Sequence, residues 1–122
     1  MTDEAFDPYH RACPSRHLLN EIGELWTVLV VGALAEGPLR FKDVAARVDG
    51  ISFKMLTQTL RTLERDSLVT RTQYPEVPPR VEYELTATGR ELVAPLRALE
   101  DWATSHMADI LAARERFDAD PA

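Results

Sequence analysis

A chain of 122 residues with 45% hydrophobic and 28% charged side chains can bury one core without staples, so one domain is expected. Its single cysteine excludes an internal disulfide. No apolar run reaches membrane-spanning length and the acidic start lacks the pattern of a leader, so no membrane association and a cytoplasmic location are expected. The formal net charge of −6 argues at first against a polyanionic partner.

Residues 1–12 lack apolar periodicity and read as a loose N-terminal arm. Cys13-Pro14 marks a helix start, since proline is favoured at the first helical position. Leu18, Leu19 and Ile22 are expected to supply the buried side of that short helix, and Gly23 ends it. Residues 25–35 are apolar nearly all round, which predicts a buried central helix, with Gly32 allowing a neighbour to approach. Gly37-Pro38 breaks the chain before a short helix over 41–48.

Asp49-Gly50 is a turn signal, and Ser52 can cap the helix that follows to about Asp66. At about 100° per residue, Phe53, Leu56, Thr59, Leu60 and Leu63 gather on one side of it. Lys54, Thr57, Gln58, Arg61 and Arg65 gather opposite. Two β-rich runs, 68–74 and 81–85, flank a loop stiffened by Pro75 and Pro78-Pro79. Thr88 with Glu91 reads as a capping box for a last long helix, and Pro95 should kink or break it. The expected order is ααααββα.

Charge is distributed unevenly along this order. Residues 40–80 hold eight Arg/Lys against five acids, a balance of +3, whereas the remainder holds six against fifteen, a balance of −9. Salt screens charges beyond about 8 Å, so attraction to phosphate is a local matter. A basic face on an acidic protein is compatible with nucleic acid. The fold expected is mainly α with α+β character, a winged helix-turn-helix with a two-stranded β-wing and terminal dimerisation helices. Its domain would span 13–113, with 114–122 as a C-terminal tail. Lys54, Thr57, Gln58 and Arg61 are the candidates for base edges or nearby phosphates, and Arg40, Lys42, Arg65, Arg71 and Arg80 for the backbone.

Several strings carry a resemblance beyond periodicity. Cys13-Pro14 with Leu18-Leu19, G-E-L-W-T-V-L (23–29), G-P-L-R-F (37–41), K-M-L-T-Q-T-L-R-T-L-E (54–64) and Y-P-E-V-P-P-R-V-E-Y-E-L-T (74–86) resemble the HxlR family. The resemblance covers about residues 13–105. It implies a MarR-related bacterial regulator, a homodimer built from the first and last helices on an inverted-repeat operator, and repression more often than activation. Ser67 stands where the family has glycine, and Phe53 where proline is common. Both departures touch packing or turn geometry more than chemistry.

Cys13 has two readings. One is a small buried hydrophobe. The other is a sensor, because a cysteine at a helix N-terminus near Arg11, Arg16 and His17 sits where thiolate is favoured. The resemblance adds that some family members use a cysteine here to sense oxidants or electrophiles. The input to such a regulator would be an oxidant at Cys13 or a small-molecule effector. His10, Cys13 and His17 fall short of the four ligands of a structural zinc site, so no metal or other cofactor is expected. Glu82 with Glu84, and Glu100 with Asp101, read as exposed charges. No nucleophile elbow or phosphate loop suggests an enzyme.

The last helix carries more apolar positions than one small domain must bury. Trp102, Met107, Ile110 and Leu111, with Leu18 and Leu19, are the candidates for contact with a second copy. The competing function is a winged-helix protein-interaction module that binds an acidic or helical partner and no DNA.

Overall fold

Helix α2 (Leu25–Ala33) is the centre of the molecule, as its near-uniform apolar sequence requires: Val28, Val30 and Val31 are buried, with Leu34 just beyond. The computed structural model describes residues 6–120. Around α2 stand α1 (Pro14–Ile22), α3 (Phe41–Arg47), α4 (Phe53–Arg65), α5 (Ala87–Glu91) and α6 (Val93–Ala119). Strands β1 (Leu39–Arg40), β2 (Val69–Tyr74) and β3 (Arg80–Leu85) form one antiparallel sheet in the order β1-β3-β2. The core joins α2 to Val44 and Val48, to Leu56, Leu60 and Leu63 of α4, to Val69 and Leu85 at the sheet's inner end, and to Leu96.

The winged helix-turn-helix expected from the sequence is present, with a third strand that it did not show. β1 is two residues long and pairs Leu39 with Tyr83 and Arg40 with Glu82. A run that short has no period to read. Its partner strand also changes the setting of the paired acids. Glu82 and Glu84 are half-buried and ion-paired, to Arg80 at 3.5 Å and Arg90 at 3.6 Å, where exposed charges were expected.

The side of α1 expected to be buried is mostly uncovered by the described residues. Leu18 is 42% exposed and Leu19 56%, while Ile22 alone of the three packs against the core. α6 is more extreme. It extends about 40 Å at 1.5 Å per residue, and Leu96 is its one buried residue. It also continues as helix through 114–119, the stretch read as a tail. Gly32 faces Glu100 of α6, but an added Cβ would stand 3.7 Å from that carboxylate, so an alanine would fit.

The junction from α4 to the sheet is built from local chemistry. The Leu68 amide donates to the Leu63 carbonyl at 2.9 Å and the Ser67 amide to Glu64 at 3.0 Å, the paired bonds of a Schellman end. That end needs a left-handed residue, and Ser67 supplies it at φ 58°. A side chain there costs about 1–2 kcal/mol. Ser67→Gly keeps the carbonyl that accepts from Thr86 Oγ1 at 2.7 Å, and is expected to raise Tm by about 2–4 °C in thermal denaturation. An unchanged or lower Tm would show that the strain is absorbed elsewhere.

The capping box expected at Thr88 and Glu91 is displaced by two residues. Thr86 is the cap: its Oγ1 accepts from the Gly89 amide at 3.1 Å. It starts the short α5, and the chain breaks at Leu92 before α6 begins. Pro95 then lies in the first turn of α6, where its missing N–H removes no helical bond. Of the two outcomes foreseen for Pro95, the break is the one observed.

Candidate nucleic-acid interface

Ser52 starts α4 as expected, its hydroxyl accepting from the Met55 amide at 3.0 Å. With Leu56, Thr59, Leu60 and Leu63 buried, the opposite face must point outward. Lys54, Thr57, Gln58, Arg61 and Arg65 are all exposed there, and with Thr62 and Glu64 they line one open depression along the helix. Arg61 makes no ion pair among the described residues. The Thr57 hydroxyl is committed differently, donating to the Phe53 carbonyl at 2.8 Å. Beside this face, Arg40 and Lys42 are exposed where β1 meets α3, and Arg71 is exposed on β2.

Phe53 departs from its expected place in the core. It is 68% exposed, and its ring meets Phe41 edge-on with centroids 5.6 Å apart. The wheel of α4 hints at this: Phe53 lies about 60° from Leu56, at the rim of the apolar stripe. It is also the first residue of the helix, where little of the core lies beneath it.

Arg80 is held within the wing. Its guanidinium carbon sits 4.1 Å above the Tyr74 ring centroid, its Nε lies 3.4 Å from Glu76 and its Nη1 3.5 Å from Glu82. Tyr74 and Arg80 are direct partners across the strands. Arg80 thus closes the ribbon below a tip formed by 75–79. The sequence located Arg80 at the wing but gave no sign of the two carboxylates.

Cys13 is the residue preceding α1 and is only 6% exposed. Its Sγ lies 3.0 Å from Ser15 Oγ, and the Ser15 hydroxyl donates to the Phe6 carbonyl. Residues 6–12 are therefore tied to the start of α1 by turns, and residues 1–5 of the expected arm lie outside the described residues. Among the described residues, no group of three His, Cys, Asp or Glu is placed to hold a metal ion, and no helix is long and apolar enough to cross a membrane.

The proposed partner-facing residues lie on α1 and α6. Trp102 is 55% exposed, Met107 37% and Leu111 52%, and Ile110 is half-buried. Leu99 and Phe117 are also exposed and extend the same helix's apolar surface. His106 stacks on Trp102 with centroids 4.6 Å apart.

A carboxyl pair links α1 to the end of α4. Hydrogen bonding with Asp66, partial burial and the Asp66 charge raise the Glu21 pKa above its ordinary 4.5, while Arg65 opposes the shift. A raised acid binds its proton more tightly in the folded state. Its stabilising effect is therefore greatest at low pH and falls as pH rises from the ordinary value through the raised one. Glu21→Gln is expected to flatten that fall and to raise Tm more near neutral pH than at acid pH. Parallel Tm–pH profiles for the two proteins would refute the coupling.

Residues 21–110 match the model of the HxlR-like helix-turn-helix family. The chain is 43% identical over 103 residues to YtfH of Escherichia coli K12, an uncharacterized HTH-type transcriptional regulator, covering 84% of this chain and 82% of that one. It superposes on ytfH from Salmonella typhimurium with a TM-score of 0.84 at 40% identity, over 89% of this chain and 97% of the other. It also superposes on the redox regulator HypR in its oxidized form with a TM-score of 0.70 at 36% identity, over 76% of this chain and 96% of the other. With its helix-turn-helix, its three-stranded wing sheet and its long last helix, the chain belongs to the HxlR family of MarR-related, helix-turn-helix transcriptional regulators.

Proposed function

We propose that this regulator is a homodimer that binds an inverted-repeat DNA operator in a sequence-specific manner and represses transcription. The observation that carries the reading is the outward face of α4, where Lys54, Thr57, Gln58, Arg61 and Arg65 stand exposed beside a ribbon. These side chains include the cations and amides that reach phosphates and base edges. Arg40, Lys42 and Arg71 would hold the backbone on either side, with Arg80 at the wing.

The dimer rests on uncovered apolar surface. Leu18 and Leu19 on α1, and Trp102, Met107 and Leu111 on α6, are exposed, and with half-buried Ile110 they are what a second copy would bury. Two copies would set two recognition helices about 34 Å apart, one turn of DNA. Sedimentation equilibrium at micromolar concentration is expected to give the dimer mass, and a monomer would refute this part.

Selection of bound fragments from random or genomic DNA tests the whole reading. A recurring motif with two-fold symmetry is expected. Recovery of no sequence would favour the rival, a protein-interaction module using the same scaffold.

Cys13 is the proposed input, on the strength of its place before α1 and of the redox regulator among the structural relatives. Its burial means that an oxidant reaches it only when the 6–15 segment opens. The unmodified protein is expected to lose operator binding under diamide while Cys13→Ser keeps it. Equal responses would leave a small-molecule effector as the input.

A further inference from the structure

The outward face of α4 is not uniformly polar. Phe53, its first residue, is 68% exposed and propped edge-on against Phe41, with the two ring planes at 70°. One turn later the Thr57 hydroxyl donates to the Phe53 carbonyl at 2.8 Å. That bond commits the hydroxyl proton to the helix's own backbone on an exposed residue, so the γ-methyl is what the side chain has left to offer an apolar partner. Residues four apart share one ridge of a helix, so Phe53 and Thr57 are neighbours on it.

An exposed phenylalanine is apolar surface that folding has not hidden. Its surroundings identify the kind of partner that would cover it, since exposed Lys54 and Arg61 flank the same ridge. A partner with phosphates and an apolar group within reach of one helix is duplex DNA, whose major groove carries the thymine C5 methyl. Thr57, having given its proton to the backbone, offers that groove a methyl group and an acceptor and no donor.

We propose that Phe53 and the Thr57 methyl form an apolar ledge on α4 that reads pyrimidine C5 methyl groups, those of thymine above all. The proposal rests on the DNA-binding reading above. Lys54, Gln58 and Arg61 would read or anchor neighbouring positions, and the ledge would add a preference that charge alone does not supply.

The test uses the operator recovered by selection, with each thymine of a half-site replaced in turn by deoxyuridine, which removes only the methyl. At the thymines that meet the ledge, the unmodified protein is expected to bind about fourfold more weakly per methyl lost, the effect of removing one buried methyl-sized group. Phe53→Ala and Thr57→Ser are each expected to bind thymine and deoxyuridine equally at the position they contact. Thr57→Val keeps the methyl and is expected to keep the discrimination. Phe53 and Thr57 are exposed, so these variants should fold, and Thr57→Ser carries the test should Phe53→Ala melt early. Insensitivity of the unmodified protein to every deoxyuridine, or full discrimination by both Phe53→Ala and Thr57→Ser, overturns the ledge while leaving DNA binding intact. Selection of no DNA by the unmodified protein overturns both.

Discussion

Gly89→Ala is expected to lower Tm by roughly 10 °C, corresponding to about 2–3 kcal/mol of overpacking. A Cβ at position 89 would stand 2.1 Å from the Leu68 carbonyl oxygen and 3.3 Å from a methyl of Leu85. That oxygen cannot easily retreat. It accepts from the Thr86 amide at 3.0 Å, and Leu68 itself closes α4 through its bond to Leu63. Core residues Leu68 and Leu85 would move with it, as would the neighbouring Ser67 carbonyl held by Thr86. Gly32→Ala provides the contrast. It also adds a methyl to a helical glycine, but at an ordinary contact distance of 3.7 Å, and should leave Tm level or slightly raised. A Gly89→Ala protein that melts within about two degrees of its parent would mean that this junction yields.

The second large effect is expected at Arg61. Removing an exposed cation from the centre of the α4 face should weaken operator binding about tenfold or more. If Arg61 meets a phosphate, the slope of log affinity against log salt should fall by about 0.9. If it meets a base edge, the slope should hold and preference at one position should relax. Arg80→Ala should cost less in affinity than Arg61→Ala. The Arg80 charge is already opposed by Glu76 and Glu82 and its plane covers Tyr74, so its loss should loosen the wing more than it removes a phosphate contact. The two variants titrated across salt decide between these assignments. An Arg80→Ala defect larger than that of Arg61→Ala would reverse the roles, and no effect from either would remove α4 and the wing from the interface.

The elements with strong local signals were readable from the chain alone. Ser52 before an amphipathic stretch, proline at the start of α1, and the unbroken apolar run of α2 each specify a helix through interactions within a few residues. The same stripe on α4 determined which side chains turn outward, because helical geometry leaves no choice once Leu56, Leu60 and Leu63 are buried. The +3 balance of residues 40–80 marked the face before any fold was known.

What escaped the sequence depends on partners far along the chain. β1 exists only because β3 offers it an edge, and Thr86 rather than Thr88 is the cap because the Ser67 carbonyl anchors its hydroxyl. Phe53 is polar-face neighbour rather than core because the core ends beneath it, with only Phe41 to lean on. Arg80 is held by Glu76, Glu82 and Tyr74 because strand pairing and a tight tip bring them together. Local rules determined the helices and the sign of the candidate surface. Tertiary structure decided which of its side chains are already engaged, since hydrogen bonds, ring contacts and ion pairs form between groups whose separation in sequence carries no period.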